Sequence, residues 1–144
     1  MSYPPLVYYQ STEEYLAHYE RVYCRAPVIS FDGIEVRFRK SRFRHIFFES
    51  SRRDEKKDIF SIQRSERIDW IKAALRDSAA ELYVGWDKKG RRYDPSHRVA
   101  VAVGNYVVII RLSSPRAAEF VTAFVADSAS TIAKIRSGPI WPKQ

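Results

Sequence analysis

The runs Arg98 to Val103 and Tyr106 to Leu112 are rich in valine and isoleucine, and only Gly104-Asn105 separates them. Two residues leave no room for a crossover, so the runs must pair antiparallel, and Gly-Asn supplies the positive φ angles of a tight hairpin loop. A further strand-like run, Glu81 to Trp86, precedes this hairpin, and Glu119 to Ala126 is another β-rich run after it. Consecutive strands of this kind predict a meander, which commits much of the second half of the chain to an antiparallel sheet.

Ahead of the sheet the pattern turns helical. Ser11 and Glu14 form an S-x-x-E capping box, Tyr15, Tyr19, Val22 and Tyr23 recur on one face, and Pro27 prevents continuation. Val28 to Phe31, an Asp32-Gly33 turn and Ile34 to Phe38 read as a short hairpin. Ile68, Ile71, Ala74 and Leu75 predict a central helix from about Arg64 to Asp77. Ser128 to Arg136 predicts a closing helix, capped by Asp127 and stopped by Gly138-Pro139. The charged run Ser50 to Asp58 reads as a solvated loop. Helices leading into an antiparallel sheet make an α+β class. With 144 residues and no internal repeat, the chain is expected to be one domain over 1–144.

Charge narrows the partners. The chain carries 25 Lys+Arg against 17 Asp+Glu, a formal net charge of +8, which favours polyanions. Val36 to Arg53 together with Lys88 to Arg98 hold 12 of the 25 basic residues, opposed only by Glu49 and Asp94. In the first patch Phe38, Phe43, Phe47 and Phe48 alternate with Arg37, Arg39, Lys40, Arg42 and Arg44. Mixed π-faces and cations suit single-stranded RNA, while the simpler reading puts the phenylalanines in the core and the arginines in water. Cys24 is the only cysteine, so an internal disulfide or a cysteine-based zinc site is excluded. No apolar run approaches the roughly 18 residues of a membrane span. Met1 to Pro5 lacks the plan of a signal peptide, and a soluble, cytoplasmic chain is expected.

Candidate chemistry rests on few residues. His45, inside Arg42-Phe43-Arg44-His45, can take a proton from a ribose 2′-hydroxyl near neutral pH, and His97, beside Tyr93 and Arg98, can protonate a leaving 5′-oxygen; each can equally be structural. His18, on the first helix, reads as solvated. Arg67 falls on the apolar stripe of the central helix, where it either forms an internal ion pair or projects to stabilise a phosphorane; Arg64, a turn earlier, can do the same. A Gly-rich phosphate loop, a G-x-S-x-G elbow, an H-E-x-x-H pair and a carboxylate cluster for Mg²⁺ are all missing from the sequence. A nuclease built from these residues would use no metal and no other cofactor, and would act on RNA, whose 2′-hydroxyl supplies the nucleophile.

From about Arg44 to Trp141 the chain resembles the barnase, EndoU, colicin and RelE ribonuclease superfamily, most closely its phage-associated branch. The resemblance lies in Arg44-His45-Ile46-Phe47, in Glu66-Arg67-Ile68-Asp69-Trp70-Ile71 leading to Leu75, in a hairpin with Arg92-Tyr93, in the valine-rich strand pair, in Val121-Thr122-Ala123-Phe124 and in Pro139-Ile140-Trp141. It implies a four-stranded or slightly larger antiparallel sheet with the N-terminal and central helices on one face, a closing helix, and a ribonuclease-like core over 41–144 behind a tyrosine-rich extension. It also implies an active site of His45, Arg67, Tyr93 and Thr122; beside it, the basic patches make Lys40, Arg42, Arg44, Arg92 and His97, and the central helix Arg64, the expected RNA and phosphate contacts. Where relatives often carry tyrosine in the last strand, this chain has Phe124. Small members of the superfamily are commonly toxins or effectors, so RNA is the expected partner, together with a neutralising antitoxin or immunity protein that is acidic where it covers Val36 to Arg53. A non-catalytic nucleic-acid-binding module and a phage structural or interaction domain are the alternatives.

Overall fold

A computed structural model describes residues 3–49, 59–126 and 128–142 of the chain. The meander is present: β5 (Glu81–Asp87), β6 (Arg92–Val101), β7 (Tyr106–Ser114) and β8 (Ala117–Val125) pair antiparallel in sequence order. The loop that joins β6 to β7 is Val103–Asn105, one residue more than the expected Gly104-Asn105 pair: the Ala102 N–H donates to the Tyr106 carbonyl at 2.8 Å, and Gly104 and Asn105 take left-handed φ of 62° and 63°. The 28–38 hairpin also forms, as β1 (Val28–Ile29) and β2 (Glu35–Arg37).

The expected all-antiparallel sheet is corrected at this point. β2 runs parallel to β8, with Val36 opposite Ala118 and Arg37 opposite Glu119, so the sheet is mixed and six-stranded in the order β1-β2-β8-β7-β6-β5. A separate pair, β3 (Phe48–Glu49) and β4 (Ile59–Phe60), stands outside it.

Alternation along the strands sends successive side chains to opposite faces. On one face lie Tyr106, Val108, Ile110, Ala118, Phe120, Ala123 and Val36. Against them pack Tyr15 and Tyr19 of α1 (Thr12–Tyr19), Tyr23 of the π-helical turn that follows it, Phe43, Ile46 and Phe47 of α2 (Phe43–Phe47), and Ile68, Ile71 and Leu75 of α4 (Ile68–Leu75). The phenylalanines of the first basic patch are therefore mainly core, with Phe48 only partly buried. Ser11 caps α1 by accepting the Glu14 N–H, as the capping box predicts. Each buried tyrosine satisfies its hydroxyl: Tyr15 donates to the Val7 carbonyl, Tyr19 to that of Arg39 and Tyr23 to that of Ile68. The tyrosine-rich segment thus lies in the core of the sheet's helical face.

Among the described residues, α5 (Ala129–Arg136) covers one end of the other face. Tyr83, Val99, Val101 and Val107 meet its Ile132, and its cap is Ser128; Asp127, the expected cap, and the loop 50–58 lie outside the described residues. The central helix is interrupted, because Arg67 has φ −98° and ψ 23° and separates α3 (Ile62–Ser65) from α4.

Two polar groups expected in water are buried. His18 bonds to the Tyr9 hydroxyl through Nδ1 and to Asp69 through Nε2, at 2.8 and 2.7 Å, because α4 brings the carboxylate to it. Arg98, counted in the second basic patch, is 2% exposed on the helical face and donates to Asp32 in the β1–β2 turn at 2.6 Å. Among the described residues no helix is long and apolar enough to cross a membrane.

Candidate nucleic-acid interface

Strand register places four charged or titratable residues on one rung of the open face. His97 of β6 stands opposite Arg111 of β7, Arg111 opposite Glu119 of β8, and Glu119 opposite Arg37 of β2. Beyond β2 the chain turns back, and Arg39 and Arg42 join these four around a concavity of about 280 Å³. Glu119 accepts from Arg39 at 2.6 Å and from Arg111 at 3.3 Å, and the Arg39 contact first of all holds its carboxyl below the ordinary value. Four arginines against one glutamate leave the concavity electropositive, with guanidinium groups still able to take phosphate oxygens bidentately.

The histidine is fixed by a bulge. Gly85 pairs with Asp94 and Val84 with Arg98, so Pro95, Ser96 and His97 are extra residues on β6. Asp94 closes the bulge by accepting from the Ser96 N–H and hydroxyl, and His97 Nδ1 lies 3.0 Å from its other oxygen. Those Ser96 bonds, then His97, pull the Asp94 carboxyl down to about 2. An ionised carboxylate only accepts, so Nδ1 donates, and in the neutral ring Nε2 is the basic atom. Gly85 is required beside this ring, because a Cβ there would lie 2.7 Å from the His97 Cβ.

Next to the concavity, β8 bulges at Val121, whose carbonyl accepts from Arg42 at 3.3 Å. Thr122, opposite Ile109, comes next on the open face, followed there by Phe124. The Arg64 guanidinium lies 5.8 Å from the Phe124 ring centre, donates to the Ile46 carbonyl at 3.1 Å and faces Glu49 at 3.5 Å; burial lowers its pKa. His45 is exposed on α2, and α2, α3 and β8 pack on one another.

The structure therefore gathers Arg42 and His97 in one concavity, has Thr122 follow on the same face, and sets His45 and Arg64 on elements packed against β8. The remaining expected residues lie elsewhere. Arg67 donates to Glu66 and to the Gln63 carbonyl and lies over Trp70, which is the internal-pair alternative. Tyr93 lines a second concavity at the β5 end of the sheet. Lys40 pairs with Glu20, Arg44 lies over Phe48, and Arg92 is exposed at the start of β6. The arginine concavity is lined by none of His45, Arg67, Tyr93 and Thr122, and the concavity at the β5 end by Tyr93 alone of the four. Arg111 and Glu119 escaped the sequence reading: a two-residue Gly104-Asn105 loop would set His97 opposite Leu112, and the longer loop Val103–Asn105 brings Arg111 there instead. Among the described residues no three His, Cys, Asp or Glu side chains come together as a metal site would need. No protein-family model matches the chain, and neither a curated protein nor a solved structure shows significant similarity to it.

Proposed function

We propose that the chain is an endoribonuclease that holds an RNA backbone along the rung from Arg37 to His97 and cuts it by attack of the 2′-hydroxyl, without a metal ion. The observation that carries this reading is the rung itself, where a histidine oriented by Asp94 ends a row in which Arg37 and Arg111 flank Glu119. In the proposed step the 2′-oxygen bonds to phosphorus and gives its proton to a base, while the P–O5′ bond breaks and the leaving oxygen takes a proton from an acid. His97 fills one of these roles and His45 the other. The arginines carry the charge that develops on the phosphorane.

Purified protein is expected to degrade single-stranded RNA in EDTA and to leave DNA of the same sequence intact. Binding to uncleavable 2′-O-methyl RNA should weaken steeply with salt, because each phosphate neutralised releases counterions. A Mg²⁺ requirement would overturn the mechanism, and an affinity flat in salt would remove the rung as the contact surface.

A second reading, a non-catalytic RNA-binding module, is favoured by Arg67, whose guanidinium is engaged by Glu66 and the Gln63 carbonyl away from the rung. Salt-dependent binding with intact RNA after long incubation would select it. On either reading, a protein that neutralises this chain presents carboxylates to the arginines and competes with RNA for them.

A further inference from the structure

At the β5 end of the sheet, one step beyond His97, lies a second concavity of about 470 Å³ whose lining includes Trp86, Tyr93, Val99, Ile135, Lys88 and Lys134. Trp86 and Tyr93 are 55% and 39% exposed, and their rings meet edge to face with centres 5.0 Å apart. A tryptophan of that exposure leaves more than half of its surface uncovered, and here it shares the concavity with two lysines from different elements, Lys88 of the β5–β6 hairpin and Lys134 of α5. Gly85 and Val99 line this concavity, and Gly85 abuts His97, whose Cβ would lie 2.7 Å from a Cβ at Gly85. The aromatic concavity and the arginine concavity are thus neighbours across one histidine.

We propose that the aromatic concavity receives an unpaired nucleobase of the RNA chain whose phosphate lies on the rung. Every base offers a π-face to Trp86, and the lysines complement the phosphates that flank a bound base. A base in a duplex is already stacked and paired, so the site selects single-stranded or looped RNA. This inference rests on the rung holding phosphate, and its test separates the two.

Affinity is measured by fluorescence anisotropy for a single-stranded 2′-O-methyl hexanucleotide and for an abasic oligonucleotide with the same number of phosphates. The base-bearing strand is expected to bind on the order of tenfold tighter, as one aromatic stack gives. Trp86→Ala should bring it down to the abasic level, and Trp86→Phe, which keeps a ring, should retain most of the difference. Equal binding of the two oligonucleotides by the wild type, or an equal loss for both in Trp86→Ala, would overturn the base site and leave the rung standing. If neither oligonucleotide binds, or if Arg37→Ala with Arg111→Ala binds both as tightly as the wild type, the phosphate reading fails and the base site fails with it.

Discussion

Replacing His97 with alanine is expected to slow single-turnover cleavage of single-stranded RNA by about 10²–10⁴-fold, the range a positioned general acid or base contributes. Binding of an uncleavable analogue should change by only a few-fold, because the four arginines remain. The pH–rate profile distinguishes a chemical role from a merely structural one, since the limb that a proton-transferring imidazole contributes should vanish with the ring. Asp94→Asn is expected to fall between wild type and His97→Ala. An amide can donate to Nδ1 instead of accepting from it, which puts the ring proton on Nε2 and blunts the base without removing it. If His97→Ala keeps both its rate and the limb, the proton-transfer role passes to His45 on α2, and His45→Ala becomes the deciding variant.

The second large effect falls on stability. Arg98→Met should cost about 3 kcal/mol in chemical denaturation, because it leaves the Asp32 carboxylate beneath the sheet without its cation. The value belongs at the low end for a broken buried pair, since Asp32 keeps 17% of its side chain in contact with water. Burial pushes the Asp32 carboxyl up, but hydrogen bonds from Arg98 and Ser30 outweigh it and hold the group below its ordinary value. The pair's contribution is therefore complete above the carboxylate's unfolded pKa of about 4 and is lost as pH falls through the lower folded value. The gap between wild type and Arg98→Met should close over that acid range. Adding Asp32→Ala to Arg98→Met should recover part of the loss at neutral pH, since the second change removes the stranded charge. A single variant as stable as wild type would show that the turn finds its anchor elsewhere.

What the sequence disclosed depended on how local each signal was. Strands 81–125 were legible because Gly104-Asn105 and the alternating runs act within a few residues. The parallel pairing of β2 with β8 joins Arg37 to Glu119, and a three-residue strand carries no sign of so distant a neighbour. The break at Arg67 was hidden for a different reason. No glycine or proline marks it, and Ile68, Ile71 and Leu75 keep a helical spacing beyond it. His97 was visible as a candidate, but its orientation by Asp94 came from a bulge that a strand drawn from Arg98 onward leaves out. Arg98 could not be assigned a face, because β6 carries apolar residues on both sides, Val99 and Val101 on one and Ala100 on the other.

The pairing of β2 with β8 also fixes when the rung can exist. Arg37, Arg39 and Arg42 leave the ribosome well before Arg111, Glu119 and the strand that seats them are made. Contacts so far apart in the chain form late and slowly. A nascent chain that stops before Ala117 holds Arg37, Arg39 and Arg42 but no strand on which to align them, so the groove waits for β8.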